Sequence, residues 1–284
     1  MTLFVNRLTQ LDTSMWCPTR GLIGTSWQVD AELDGELGDD GMLFDFGRVK
    51  PWIKSSLDQS LDHTLLVPTE APGVNVQSCP EGLRIRTETP YVMEVRGPRQ
   101  AFSLLPWPTI SLARLAEHLE QMLMRQPPTN VEGVRLTLSD EAIEGAHYTY
   151  SHGLRRHDGN CQRITHGHRS RLHIWQNGQR VPSLEADWAQ RLADCYLVDE
   201  ADVAEGLEAS FMGRLIASYR ADQGRFMINL PRERCVVMPH ATTVENIAAW
   251  LASQIARESG QRTRVQAFEG IDKGAIAEAG GNEL

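Results

Sequence analysis

The sequence predicts an α+β protein made of two tandem copies of one unit. Three observations carry this. Residues 23–33 alternate apolar and polar side chains, as a half-buried strand of an antiparallel sheet does. Helical stripes with apolar residues at i, i+4 spacing follow that strand. The same succession then recurs: each half reads strand, strand, helix, hairpin, helix, strand, with a boundary near Tyr148. We therefore expect one unit over residues 1–148 and a second over 149–284, paired domains of one fold rather than a solenoid.

In the first half, Ile23, Thr25, Trp27, Val29, Ala31 and Leu33 share one strand face. Gly35 and Gly38 mark a turn, and Asp45 is placed to cap a helix carrying Val49, Ile53, Leu57 and Leu61. Pro51 falls in its first turns, where proline is tolerated, and Asp62 and His63 close its C-terminal end. Short β-like runs are expected at 83–86 and 91–95. A second helix begins at Thr109 as N-cap and buries Leu112, Leu115, Ala116, Leu119 and Leu123. Val134, Leu136 and Leu138 alternate as a strand. In the second half the strand is 166–175, the first helix 186–197, the β runs 215–219 and 226–230, the second helix opens at Thr243, and 265–268 is the last strand.

Bulk properties narrow the class. The 284 residues are 41% hydrophobic and 23% charged, a globular composition. A net charge of −9 argues against a general binder of nucleic-acid backbone. Five cysteines without regular spacing do not make a disulfide framework and fit a reducing cytoplasm. The N-terminus lacks a basic region followed by an apolar run, so no signal peptide is expected, and no stretch is long and apolar enough to suggest a membrane span.

The chemistry concentrates in YSHGLRRHDGNCQRITHGH, residues 150–168, which hold four of the nine histidines. His166 and His168 are two apart, so on a strand they face one point. His152 can return across a loop turned by Asp158 and Gly159 as a third ligand. Three neutral imidazoles leave one coordination position open, the layout of a catalytic zinc. A lone HxH is also a common surface pair. Cys161 stays open to two readings: a fourth ligand closing the site, or a thiol beside the ion whose positive charge favours the thiolate.

These residues carry a resemblance. The second half has SHGL with His152, GNC with Cys161, HGH at 166–168, TVENIAAWL at 243–251, and Glu269 six residues before Ala275. The first half has GMLFDFGRVK at 41–50 and LDHTLL at 61–66. In this order the motifs resemble the 6-pyruvoyltetrahydropterin synthase / 6-carboxytetrahydropterin synthase family of tunnelling-fold (T-fold) proteins. The pattern is split. The second half has Leu192, Ala193 and Asp194 where the family has L-D-H; the first has Leu22, Ile23, Gly24 and Thr25 in place of the HGH step, a degraded TISLA at 109–113, and Asp140 or Glu141 at the terminal glutamate.

The resemblance implies T-fold units with two helices on one sheet face, assembling into an oligomeric β-barrel. It implies a lyase that uses Zn2+ held by His152, His166 and His168, with Cys161 as base and His63, oriented by Asp62, as proton shuttle. Glu269 would anchor the pterin, aided by Thr242 or Thr243. The substrate would be 7,8-dihydroneopterin triphosphate, and the product 6-carboxy-5,6,7,8-tetrahydropterin, as on a queuosine-type route, or 6-pyruvoyltetrahydropterin. The dyad of Asp62 and His63 would reach the zinc half from the same or a neighbouring chain. Three chains would supply the six units of a closed barrel. Arg155, Arg156, Arg163, Arg169 and Arg171 form a basic cluster that would either bind the triphosphate or be a solvated face. Two other classes stand beside it: a non-catalytic pterin-binding or scaffold protein, against which Cys161, Asp62, His63 and Glu269 speak together, and a zinc hydrolase of another fold, for which no HExxH motif speaks.

Overall fold

The alternating stretch at residues 23–33 becomes the middle of a long strand around which the first half is built. The computed structural model describes residues 1–204 and 213–280. The first half contains β1 (Thr2–Cys17), β2 (Gly21–Gly35), α1 (Phe46–Ser60), β3 (Leu65–Pro68), β4 (Asn75–Cys79), β5 (Gly82–Thr87), β6 (Met93–Gly97), β7 (Phe102–Leu105), α2 (Leu112–Leu123) and β8 (Val131–Asp140). The second contains β9 (His147–His152), β10 (His166–Gln176), the two-residue β11 (Gln179–Arg180), α3 (Pro182–Arg191), β12 (Cys195–Asp199), β13 (Arg214–Ala221), β14 (Gly224–Pro231), β15 (Cys235–Met238), α4 (Val244–Ser259), β16 (Thr263–Phe268) and β17 (Gly274–Ala279).

Both halves build the same sheet. Its order is β7-β3-β1-β2-β8 in the first and β15-β12-β9-β10-β16 in the second, where β17 adds an edge and β11 pairs with β10. The sheets are mixed, not antiparallel throughout as expected. β1, β2 and β8 are antiparallel neighbours, but β3 is parallel to both β1 and β7, and β12 is parallel to both β9 and β15. The hairpins between β3 and β7, and between β12 and β15, provide the long crossover that parallel neighbours need. Those hairpins also meet each other: β13-β14-β6-β5-β4 is one sheet, joined where Met227, Ile228 and Asn229 pair with Arg96, Val95 and Glu94.

Helices cover one face of each main sheet. Val49, Ile53 and Leu57 of α1 and Leu115 and Leu119 of α2 pack with Trp27, Val29, Ala31 and Leu33. Ile247, Leu251 and Ile255 of α4 do the same with Tyr148, Leu172 and Ile174. A third core draws on both halves, with Ile85 and Val95 beside Tyr196, Leu215 and Ile228. The uncovered sheet faces meet at their central strands. There Ser14 Oγ donates to Ser151 Oγ at 2.7 Å, and Gly24 and Gly167 are in contact.

Asp45 caps α1 by accepting from the Gly47 amide at 2.7 Å, and Thr243 caps α4, as expected. Four expectations need correction. α2 is capped by Ser111, whose hydroxyl accepts from the Arg114 amide, not by Thr109. α3 spans Pro182–Arg191 rather than 186–197, because Pro182 is suited to a first helical turn. Tyr196 and Leu197 instead lie in β12, buried on both faces. The strand expected to be last is followed by β17. Among the described residues no helix is long and apolar enough to cross a membrane.

Candidate metal centre

The β9–β10 register puts His152 directly opposite His166, while strand alternation puts His168 on the same face as His166. Each of the three is at most 1% exposed. Ring centroids are 4.2 Å apart for His152–His166, 5.2 Å for His152–His168 and 5.6 Å for His166–His168. One ring nitrogen from each falls within 4.8 Å of the others.

Hydrogen bonding decides which nitrogens converge. His152 Nδ1 lies 3.0 Å from the Thr242 carbonyl, and His166 Nδ1 lies 3.1 Å from the Arg163 carbonyl. A carbonyl only accepts, so both Nδ1 atoms carry the proton and both Nε2 lone pairs are free. Burial, reinforced by neighbouring histidines, holds His152 and His166 well below the ordinary imidazole range, so both are neutral. The Nε2 atoms of His152 and His168 are buried without a hydrogen-bond partner. Converging lone pairs left unsatisfied in the interior fit a soft-to-borderline cation. The residues present therefore suit a zinc-type ion.

The first half completes the surroundings. After α1 the chain turns sharply, with His63 in the left-handed region at φ 56°. His63 Nδ1 lies 2.6 Å from Asp62 Oδ2, and its ring is 4.9 Å from that of His166 in the same chain. His63, Cys161 and His166 form a second group with ligand atoms within 4.8 Å. Burial alone would lower the His63 pKa, but Asp62 and then Cys161 outweigh it and raise it to about 10. A His63 that holds its proton at neutral pH suits proton donation, while the three buried histidines converge on one point and suit an ion. Asp194, which stands in the sequence where His63 stands in the first half, repeats the left-handed turn at φ 55° but offers a carboxylate.

The remaining sequence candidates divide. Glu269 is partly exposed immediately after β16, with Oε1 4.0 Å from His168 Nε2. Thr242 is fully buried with Oγ1 3.0 Å from His152 Nδ1, and the Thr243 hydroxyl accepts from the Asn246 amide. Both hydroxyls are thus already engaged, Thr242 as a support for a histidine and Thr243 as a cap. The basic cluster is not one exposed surface. Arg163 is buried and donates to the Asp62 carbonyl at 3.1 Å; Arg155 pairs with Asp202, and Arg171 with Glu141 and Asp272.

Sequence reading missed Asp12 and Lys273. Asp12 is buried on β1, 3.3 Å from His168 Nδ1, with Lys273 Nζ 3.2 Å from its other oxygen. Buried polar residues on a long strand are the signal, but β1 itself was not recognised. A cleft of about 480 Å³ opens over Asp62 and His63 and is bordered by Arg7, Lys54 and Lys273.

The sequence model of the family described as 6-pyruvoyl tetrahydropterin synthase matches twice, over residues 18–144 and 141–280. A Pyrococcus horikoshii protein named "Putative 6-carboxy-5,6,7,8-tetrahydropterin synthase" is 24% identical over 128 residues, covering 45% of this chain and 74% of its own. A Pyrococcus abyssi protein of the same name is 24% identical over 136 residues, covering 46% and 75%. Among solved structures, a Plasmodium vivax 6-pyruvoyl tetrahydropterin synthase aligns with a TM-score of 0.42 at 20% identity, over 51% of this chain and 93% of that one. The Plasmodium falciparum enzyme aligns with a TM-score of 0.41 at 16% identity, over 49% and 91%.

Proposed function

The chain belongs to the 6-pyruvoyl tetrahydropterin synthase family in a duplicated form, and on that premise we propose that it is a zinc-dependent lyase converting 7,8-dihydroneopterin triphosphate and one water to 6-carboxy-5,6,7,8-tetrahydropterin, with triphosphate and the two outer side-chain carbons leaving, the latter as acetaldehyde. Such a product serves a route to 7-deazaguanine nucleosides such as queuosine. One observation carries the proposal: three buried imidazoles of one half and the Asp62–His63 dyad of the other lie side by side in one chain.

In this reading His152, His166 and His168 hold zinc through Nε2. The bound ion supplies Lewis-acid stabilisation of negative charge on a substrate side-chain oxygen. Cys161, as thiolate, removes a proton from the side-chain carbon next to that oxygen. His63 is the acid that returns a proton to the substrate, and Asp62 holds its Nδ1 and orients the ring. Glu269 accepts two hydrogen bonds from the N–H and amino edge of the pterin. The triphosphate would lie in the cleft bordered by Arg7, Lys54 and Lys273, where Lys54 also pairs with Asp58 and Lys273 with Asp12.

We place the division between the units near residue 148, in keeping with the repeated sheet order. The outer strands β7 and β8, and β15 and β17, have one neighbour each within the main sheets, and such edges invite pairing with other copies. Three chains closing a barrel of six units is the assembly we propose, and sedimentation measures it.

The test is incubation of the zinc-loaded protein with 7,8-dihydroneopterin triphosphate and mass analysis of the product. The expected mass is that of 6-carboxytetrahydropterin. The mass of 6-pyruvoyltetrahydropterin would keep the reaction class and change the product. Bound zinc without turnover would favour a non-catalytic pterin-binding protein.

A further inference from the structure

We infer that Asp12, a residue of the half without metal-site histidines, is the positioning residue for His168, so that the metal centre of the second half depends on a side chain of the first. The inference rests on the zinc reading above.

The three imidazoles are not supported alike. His152 and His166 have their Nδ1 atoms fixed by carbonyls of their own half, those of Thr242 and Arg163. His168 Nδ1 has no formed hydrogen bond and faces Asp12 Oδ1 at 3.3 Å across the junction between the halves. Asp12 is 4% exposed and is itself held in place: Ser26 Oγ donates to Oδ1 at 2.5 Å, and Lys273 Nζ sits 3.2 Å from Oδ2. A buried carboxylate beside Nδ1 favours the tautomer with its proton there. That tautomer leaves the Nε2 lone pair for the ion, and the negative charge makes the ligand more basic. Lys273 offsets the charge that would otherwise be costly to bury.

The main chain of Asp12 has a separate task. Its amide donates to Asp62 Oδ1 at 2.9 Å, and its carbonyl accepts from the His63 amide at 2.8 Å. One residue thus places the metal ligand through its side chain and the dyad through its backbone. The arrangement is one-sided. Ser14 pairs across its sheet with Gly24, and Ser151 with Gly167, so by register Thr149 stands where Asp12 does. Thr149 bonds to Asp194 of its own half and to no histidine.

The side-chain role is tested by zinc titration of metal-free protein against a chromophoric chelator, with the visible spectrum of the Co2+ form as a second readout. Asp12→Asn keeps both main-chain bonds, and it should weaken zinc binding about 10–100-fold and shift the Co2+ bands. Ser26→Ala, which frees the carboxylate, should change binding in the same direction by less. Arg20→Ala is the control for general loosening: it breaks the ion pair with Asp194 between the halves, and should leave affinity and spectrum unchanged. A folded Asn variant that binds zinc like the wild type overturns the inference. If the Asn variant does not fold, unchanged binding by Ser26→Ala overturns it. Failure of the wild type to bind zinc instead removes the metal reading on which it stands.

Discussion

Replacing Gly24 with alanine should damage the junction of the two halves and the proposed metal centre together. A Cβ at this position would lie 1.9 Å from the Tyr150 carbonyl oxygen, 2.6 Å from the His168 amide nitrogen and 2.7 Å from the His168 carbonyl oxygen. All three atoms are backbone, so no side chain can rotate away, and the strands must part. Overpacking a tight interior site costs about 1–3 kcal/mol, and contact with backbone from both β9 and β10 puts Gly24→Ala at about 3. At about 2.1 cal/mol/K of unfolding entropy per residue, each kcal/mol moves the Tm of a 284-residue chain by about 1.7 °C, so the expected fall is about 5 °C. Because the displaced strands carry His152, His166 and His168, zinc content should fall too. Gly133→Ala is the matched control, since its Cβ would come no nearer than 3.4 Å to any neighbour, an ordinary contact. Scanning calorimetry and metal analysis of the three proteins decide the matter. A Gly24→Ala protein with the Tm and zinc content of the wild type would refute the close crossing of the sheets.

Further outcomes are expected. On the proposed function, Cys161→Ala should abolish turnover of the pterin triphosphate while any zinc content and Tm stay near wild type; retained turnover would remove the thiol from the reaction. Burial would raise the Asp12 carboxyl, but its surroundings, Lys273 and Ser26 among them, hold it far below the ordinary carboxylate range. A carboxyl depressed on folding stabilises the protein above its unfolded pKa of about 4, and that stability is lost as pH falls through the folded value. Urea midpoints should therefore drop on acidification below about pH 4 in the wild type and drop less in Asp12→Asn, which at pH 7 should already be less stable because Lys273 loses its carboxylate partner. Burial pushes the thiols of Cys195 and Cys235 up, the latter to about 12. At pH 8 a thiol reagent should label Cys17, Cys79 and Cys161 in the folded protein, and all five only after unfolding.

What could be read from the sequence followed physical regularity. β2 and β10 alternate because one face of each is covered by helices, and Asp45 and Thr243 announce helices because they cap them. His166 and His168 declare a shared face by spacing alone. β1 escaped notice because its ladder shifts register between Val5 and Thr9, where Arg7 adopts φ 51°, and because Asp12, Thr13 and Ser14 are polar yet buried. Asp12 was hidden with it. The limits of α3 were misjudged because Tyr196 and Leu197 belong to a strand buried on both faces, whose apolar run resembles a helical stripe. The pairing of β14 with β6 joins residues more than a hundred positions apart, and nothing local in either hairpin specifies it.

That seam, with the bond between Ser14 and Ser151, changes how the site comes together. Two separate subunits meeting in solution give up about 4–15 kcal/mol of translational and rotational freedom. Here the connection between β8 and β9 is six residues, 141–146, and closing a tether lengthens its entropic cost only logarithmically. The encounter of His63 with His166 is therefore first order in a single polypeptide. Dilution that would scatter a pair of unlinked protomers leaves this encounter untouched, whatever larger assembly the chain enters.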